Sequence, residues 1–184
     1  MLFAESADSA AAFSEETSYC DGSDPAVLAA AECTVPMAQF WLATTATPFE
    51  YLPGESIRLQ VRAWNVIGPG PYSSIATGPT VETPPATPSL PPERVEAGTS
   101  PSQIEVAMPA ITSGSLAAGA AAISSYNLEW NEGSGTAFTE VTGETTESLA
   151  LTVTVDSLEA GRTYTFRYRV KNIHGWSAGY SPEV

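Results

Sequence analysis

The sequence predicts an all-β protein that consists of two β-sandwiches in tandem, with the first sandwich incomplete at its N-terminus. The first observation is a run of alternating apolar and polar residues at 164–171, which has the period of two of a half-buried strand. The second is that the same pattern stands 107 residues upstream, at 54–65 against 161–172. The third is a proline-rich stretch at residues 83–92, between the two copies.

The alternating runs predict which side chains of each strand enter a core. In the later copy the apolar positions are Tyr164, Phe166, Tyr168 and Val170. The polar positions between and after them are Thr165, Arg167, Arg169 and Lys171. In the earlier copy the positions expected to point inward are Ile57, Leu59, Val61 and Ala63. Because successive side chains of a strand point to opposite faces, both runs predict strands with one buried face.

Short strand patterns fill the rest of the later copy. Further strands are expected at residues 94–97, 103–108, 126–130, 138–142, 149–155 and 177–184. Seven short strands separated by turns are typical of a two-sheet sandwich. No comparable patterns supply the first two strands of the earlier copy, so that sandwich is expected to be incomplete.

Three residues before the later strand carry a resemblance to a known family. Leu158, Gly161 and Tyr164, followed by the alternating strand and Asn172, resemble the corner and next strand of a fibronectin type III domain. The resemblance implies two immunoglobulin-like β-sandwiches, with the Tyr164 hydroxyl bonded to upstream backbone. It implies a first domain at residues 1–82, a linker at 83–92 and a second domain at 93–184. Ile57 replaces the corner tyrosine in the first copy, so that corner is expected to lack the hydroxyl bond.

Cys20 and Cys33 bound an insert in the first copy. Asp24 and Pro25 are the residue types of a helix N-cap and first position, so about two helical turns are expected after them. An even pair of cysteines this close predicts one disulfide and an oxidising compartment, with two free buried cysteines as the alternative. The insert resembles one in large repeat proteins of protist cell surfaces.

The charge of the chain narrows the classes of partner. With 21 acidic against 7 basic residues, it has little with which to neutralise phosphates, so nucleic acid is not an expected partner. No apolar run approaches the roughly 18 residues of a membrane span. His174, the single histidine, has no second histidine or cysteine near it in sequence, so no zinc site or catalytic triad is predicted. The sequence therefore predicts no catalytic residues and no enzyme.

Two patterns point to candidate sites. Asp21, Ser23 and Asp24 offer oxygens on a glycine-containing turn, which favours either helix capping or a calcium ion, and no other cofactor is predicted. Arg167, Arg169 and Trp176 are similar to the stacked tryptophan and arginines of cytokine-receptor modules, which implies a cation–π face.

The family resemblance implies a non-enzymatic structural or adhesive module that is extracellular or at the cell surface. The alternatives are a ligand-binding receptor segment and an accessory domain of a secreted enzyme, since fold alone does not decide among these functions. The expected partners are proteins, either neighbouring repeats or copies of the same chain. The incomplete first sandwich has two interpretations: the chain is a segment of a longer tandem protein, or a neighbouring chain donates strands and builds a filament.

Overall fold

The computed structural model describes residues 2–5, 13–41, 49, 51–133, 135 and 137–184. The chain divides into two units, Met1–Glu82 and Thr83–Val184. Antiparallel sheets dominate both units, which confirms the all-β prediction. In the described part of the chain, no helix is long and apolar enough to span a membrane.

The first unit is built around one long strand. Its elements are β1 (Leu2–Glu5), β2 (Phe13–Glu16), α1 (Pro25–Ala30), a short 3-10 helix (Met37–Gln39), β3 (Ser56–Asn65), β4 (Gly68–Tyr72) and β5 (Ala76–Thr80). The strands are ordered β2-β1-β3-β4, and β5 also pairs with β3. β3 is therefore the strand on which the rest of the sheet is assembled.

A small aromatic cluster forms the core of the first unit. Its buried members are Phe40, Phe49, Tyr51, Ile57 and Val81. The ring of Phe40 lies 5.6 Å from that of Phe49 and 6.3 Å from that of Tyr51, measured between centroids. All of these contacts lie near the N-terminal end of β3, so the core covers only one end of that strand.

The inner face of β3 changes from buried to exposed along its length. Ile57 is buried and Leu59 is half-buried, as the alternation predicts. Val61, however, is 51% exposed, and Ala63 is exposed as well. The prediction of a buried face is therefore correct at the start of β3 and wrong at its end, because the cluster of buried residues does not extend that far.

The second unit is a sandwich of two sheets. Its strands are β6 (Glu93–Ser100), β7 (Gln103–Ala107), β8 (Ile123–Trp130), β9 (Thr139–Thr142), β10 (Thr152–Asp156), β11 (Phe166–Asn172) and β12 (Gly175–Trp176). One sheet has the order β10-β7-β6, and the other has the order β12-β11-β8-β9. This is the two-sheet architecture that the strand pattern predicts.

The core of the second unit lies between these sheets. Phe166, Tyr168 and Val170 of β11 are buried, and Arg167 and Arg169 between them are only partly buried, which confirms the predicted alternation. Met108 and Leu128 are also buried in this core. Trp130 is half-buried and packs against it, with its ring stacked on Tyr164 at 5.6 Å.

Residues 177–184, expected to form the last strand, run beside β11 through backbone hydrogen bonds. The N–H of Ser177 donates to the carbonyl of Val170 at 2.8 Å, and that of Ser181 donates to Tyr168 at 2.7 Å. Val184 and Phe166 exchange two such bonds. The segment thus extends the strand β12 as a partner of β11, although its own backbone is irregular.

The proline-rich segment at 83–92 lies along the second unit. Thr83, Pro85, Pro88 and Pro92 are buried. The N–H of Thr83 donates to the carbonyl of Gly119 at 2.9 Å. A Cβ added to Gly119, whose φ is +69°, would stand 2.0 Å from the carbonyl oxygen of Thr83, so this close approach requires glycine. The segment expected to be a stiff linker is therefore packed on the second unit.

Candidate functional site

The corner residues precede β11. Leu158 packs against the core, and Gly161 has a φ of +83°. The hydroxyl of Tyr164 accepts a hydrogen bond of 2.8 Å from the N–H of Glu159, five residues upstream. The ring of Tyr164 stacks on Trp130 on its other side. These contacts fix the direction in which the chain enters β11.

A disulfide joins Cys20 and Cys33, whose Cα atoms are 5.4 Å apart, and it confirms the predicted bond. The helix α1 lies between these cysteines, begins at Pro25 and is capped by Asp24, whose carboxylate accepts from the N–H of Ala26 at 2.7 Å. No residue of α1 is buried. The helix therefore lies outside the core, and the disulfide joins the two ends of the segment that carries it.

The three residues considered for calcium make local hydrogen bonds instead. Asp21 accepts from both the N–H and the hydroxyl of Ser23, at 2.8 and 2.7 Å, and these bonds lower the pKa of its carboxyl. Asp24 is occupied as the helix cap. No group of three or more acidic, histidine or cysteine side chains suited to a metal occurs within the described ranges. The arrangement does not fit the six to eight oxygen ligands that calcium takes.

The face predicted to stack is a ladder of cations and rings on the outer side of β11. The guanidinium of Arg167 lies between Phe138 and Tyr180, 3.9 and 4.0 Å from the ring centroids. That of Arg169 lies 4.9 Å from Tyr180 and 4.7 Å from Trp176. The structure thus brings Arg169 and Trp176 together. It places Arg167 one rung away, on two rings that the sequence reasoning did not identify.

Acidic and amide groups hold the cations of this ladder from the neighbouring strand β8. Arg167 donates twice to the buried carboxylate of Glu129, at 2.9 and 2.8 Å. Arg169 donates to the amide oxygen of Asn127 at 3.1 Å. The hydroxyl of Tyr180 donates to Glu129 at 2.6 Å. Burial, together with this bond to a carboxylate, raises the pKa of Tyr180 to about 12.

The contacts of the ladder stabilise the outer side of β11. Each of its two arginines has both a stacked ring and a hydrogen-bond acceptor within the unit. Cation–π contacts of this kind contribute about 0.5–2 kcal/mol each. His174 is exposed in the adjacent turn, where its N–H donates to Asn172 at 2.8 Å. The face is therefore held by stacking and by hydrogen bonds within the unit.

A groove of about 630 Å³ lies in the first unit between α1 and β3. Its walls include the disulfide, Val27 and Leu28 of the insert, and four consecutive residues of β3 at positions 61–64. Leu28 is 65% exposed and Trp64 is 52% exposed. The guanidinium of Arg62 stacks between Trp64 and Tyr72, 5.0 and 4.5 Å from their centroids. The groove is thus an accessible, mostly apolar surface on an open part of the sheet.

Two anchoring contacts of the first unit were missed from the sequence. The buried carboxylate of Glu16 accepts from the N–H groups of Ser18, Tyr19 and Cys20, at 3.1, 2.9 and 2.9 Å. The hydroxyl of Tyr51 accepts from the N–H of Arg58 at 3.2 Å, beside the position where the corner tyrosine is replaced by Ile57. A glutamate directly before a turn was a readable signal for the first contact, whereas nothing in the local pattern marks Tyr51.

The second unit matches a known protein family. The family model described as "Fibronectin type III domain" matches residues 92–184. Among solved structures, the chain is similar to the chicken CNTN1 FN1-FN3 domains, with 18% identity, a TM-score of 0.42, and coverage of 73% of this chain and 42% of that chain. It is also similar to a run of titin domains, with 14% identity, a TM-score of 0.43, and coverage of 100% of this chain and 53% of that chain. The chain spans about half the length of these two structures.

No curated protein matches it in sequence. Because the matched model covers half of its length, the chain belongs to the fibronectin type III family.

Proposed function

We propose that this chain is a non-enzymatic structural or adhesive module of an extracellular or cell-surface assembly, and that it binds protein partners through its first unit. Fibronectin type III domains are commonly modules of this kind in extracellular proteins. The observation that carries the proposal is the apolar surface left exposed on β3, where Val61 is 51% exposed. Contiguous exposed apolar surface on a folded protein commonly marks an interaction site.

The compartment is supported by the disulfide and by the surface charge. Disulfides persist in oxidising surroundings, and the Cys20–Cys33 bond closes the segment that carries α1. A net charge of −14 suits a soluble exposed surface and disfavours nucleic acid. The cysteine-bounded insert resembles one in repeat proteins of protist cell surfaces, which is the context we propose.

The second unit supports the proposal as a rigid spacer. Its inner face is closed by Tyr168 and Val170, and its outer face is stiffened by the ladder. A module that transmits position or tension needs such rigidity, and it needs no reactive site. We therefore assign partner binding to the first unit and spacing to the second.

The partners that we propose are neighbouring repeats of the same assembly. A strand that one module supplies to a sheet of the next is a known mode of protein recognition. Where each module both supplies and receives a strand, the contact is head-to-tail and does not close, so a filament results.

Cross-linking of the native protein tests this function. Intact cells are treated with a reagent that does not cross membranes, and the cross-linked peptides are identified by mass spectrometry. We expect links from the first unit to other proteins, a disulfide-bonded Cys20–Cys33 peptide, and filaments in electron micrographs of the isolated complexes. A chain that is inaccessible to the reagent and carries reduced cysteines would contradict the proposal.

A further inference from the structure

The edge strands of the second unit differ in how they are protected against pairing with another strand. Proteins protect such edges with charges, proline, irregular register or short length. The strand β6 carries the charged Glu93 and Arg94, and its register with β7 shifts. The strand β9 has four residues, one of them Glu140, and its register with β8 shifts as well. The strand β12 has two residues, and the segment 177–184 that continues this edge is irregular and contains proline.

The strand β10, at the remaining edge, lacks these protective features over most of its length. It pairs with β7 along all five of its residues without a shift of register. In the described part of the second unit, no strand pairs with its other side. Residues 148–155 include no charge, proline or glycine, and Asp156 stands at the end of the strand. Thr152 and Thr154 are exposed, and Val153 between them is half-buried. The strand is thus a regular, uncharged and accessible edge.

The backbone of β10 directs alternate residues to its two sides. The N–H of Met108, which follows β7, donates to the carbonyl of Leu151 at 2.7 Å. In an antiparallel ladder, residues that bond to the neighbouring strand alternate with residues that do not. Every second residue from Leu151 onwards therefore bonds to β7. Thr152, Thr154 and Asp156 direct their N–H and C=O groups to the open side, where each offers a donor and an acceptor.

We propose that β10 pairs antiparallel with β10 of a second copy of this chain, about a two-fold axis at Thr154. In this register Thr154 lies opposite the partner's Thr154, and Thr152 lies opposite the partner's Asp156. Outward-facing residues then meet only outward-facing residues, so each pair exchanges two backbone hydrogen bonds. The proposal goes beyond the proposed function, because it gives the second unit an interface of its own.

A second copy is the occupant that the chemistry of this edge favours. Threonine pairs favourably with threonine across neighbouring strands, and the two-fold axis brings Thr154 opposite its own copy. Like charges directly opposite each other are unfavourable, and the register avoids them because Asp156 lies opposite a threonine. The alternative occupant is a basic strand of another protein, since Glu105 lies beside Thr154 on β7. The experiments below separate these two occupants.

Amide hydrogen exchange and sedimentation of the intact chain test the contact over a range of concentrations. In dilute solution, we expect fast exchange at Thr152, Thr154 and Asp156, and protection by β7 at Val153 and Val155. At about 1 mM, we expect a dimer and at least about tenfold slower exchange at the three outward-facing amides. Exchange at these amides that does not depend on concentration, or a chain that remains a monomer at about 1 mM, would overturn the proposal.

Two matched variants test the register, because they place the same new charge on the same face of β10. Thr154→Lys puts two like charges opposite each other across the axis, whereas Thr152→Lys puts each new charge opposite the partner's Asp156. Both threonines are exposed, so both variants should fold. We expect the dissociation constant of the Thr154→Lys dimer to be about tenfold higher than that of the Thr152→Lys dimer. Equal constants would overturn the proposal.

Proline and salt provide two further tests. Thr154→Pro removes an N–H that faces the open side and leaves the bonds to β7 in place, so we expect a folded monomer. Salt screens the net charge of −14, so it should strengthen the contact between two copies and weaken the binding of a basic strand. If a capped peptide of alternating lysine and valine protects the outward-facing amides while the chain remains a monomer, the occupant is another protein and the second copy is excluded.

Discussion

The strands β3 and β11 start from the same sequence pattern, 107 residues apart, and end in different surroundings. In β11 the inward residues Tyr168 and Val170 are 1% and 0% exposed. At the position of Tyr168, β3 carries Val61, which is 51% exposed. The difference shows that an alternating pattern specifies a strand and its two faces. What covers the inner face is decided by strands elsewhere in the chain.

The turns and outer faces of the two strands are, by contrast, alike. Asn65 accepts hydrogen bonds from the N–H groups of Ile67 and Gly68, and Asn172 accepts one from that of His174. Arginine stacks on aromatic rings beside both strands, as Arg62 does on Tyr72 and Arg169 on Trp176. Local features therefore recur where local sequence recurs, and only the distant packing differs.

The largest expected effect comes from the disulfide, which stabilises the first unit where its core is small. Replacing Cys20 and Cys33 with serine frees a loop whose ends are 13 residues apart, and we expect the first unit to lose about 3 kcal/mol of stability. Denaturation followed by NMR resolves the two units. The second unit contains no cysteine, so an equal loss there would contradict the comparison.

The ladder provides the matched test in the second unit. Arg167→Ala leaves the buried carboxylate of Glu129 without its strongest donors, and we expect a loss of about 2–3 kcal/mol. Arg94→Ala removes an ion pair with Glu96 in which both side chains are exposed, and the expected loss is below about 0.5 kcal/mol. Similar losses in the two variants, measured by chemical denaturation, would show that the stacked face is not a stiffening element.

One chemical change made on both inner faces tests the packing difference directly. Val170→Ala empties part of a closed core and should cost the second unit about 2 kcal/mol. Val61→Ala removes the same atoms from an exposed position and should cost the first unit less than about 0.5 kcal/mol. A large loss at Val61 would mean that the inner face of β3 is covered in solution.

The corner supplies a smaller effect. Tyr164→Phe keeps the ring on Trp130 and removes only the hydroxyl that accepts from Glu159, so we expect a loss of about 1 kcal/mol in the second unit. Ile57 occupies the matching place in the first unit, where a hydroxyl is supplied by Tyr51. Tyr51→Phe should therefore produce a loss of similar size in the first unit. If neither variant changes the stability, the hydroxyl bonds do not contribute to it.

The last predicted effect is absent at neutral pH: it is a loss of stability in alkaline solution. The pKa values of Tyr168 and Tyr180 are raised to about 12, chiefly by burial. The folded chain keeps these two protons at pH values where the unfolded chain, with a pKa near 10, has lost them. Stability of the second unit should therefore be full below about pH 10 and fall as the pH rises to about 12. Tyr180→Phe should reduce that fall, and an unchanged pH profile would contradict the role of burial.

The all-β architecture, the alternation of β11 and the disulfide could be predicted from sequence, because each depends on residues close together in the chain. The stacking of Arg169 on Trp176 was also within reach, since both lie on one short hairpin. Phe138 and Tyr180 were not, because their place beside Arg167 depends on how other parts of the chain pack around β11. The contact of residues 83–92 with Gly119 was hidden for the same reason. The groove on the first unit lies between the insert and β3, and no local sequence pattern indicates how those two segments are placed.

Amide hydrogen exchange of the intact chain tests the central claim, that β3 is open where β11 is closed. The account predicts that the amides of residues 62–65 exchange at least about tenfold faster than those of residues 169–172, since Val61 and Ala63 of β3 are exposed where Tyr168 and Val170 of β11 are buried. Equal protection of the two segments in the purified chain would contradict it, because the inner face of β3 would then already be covered.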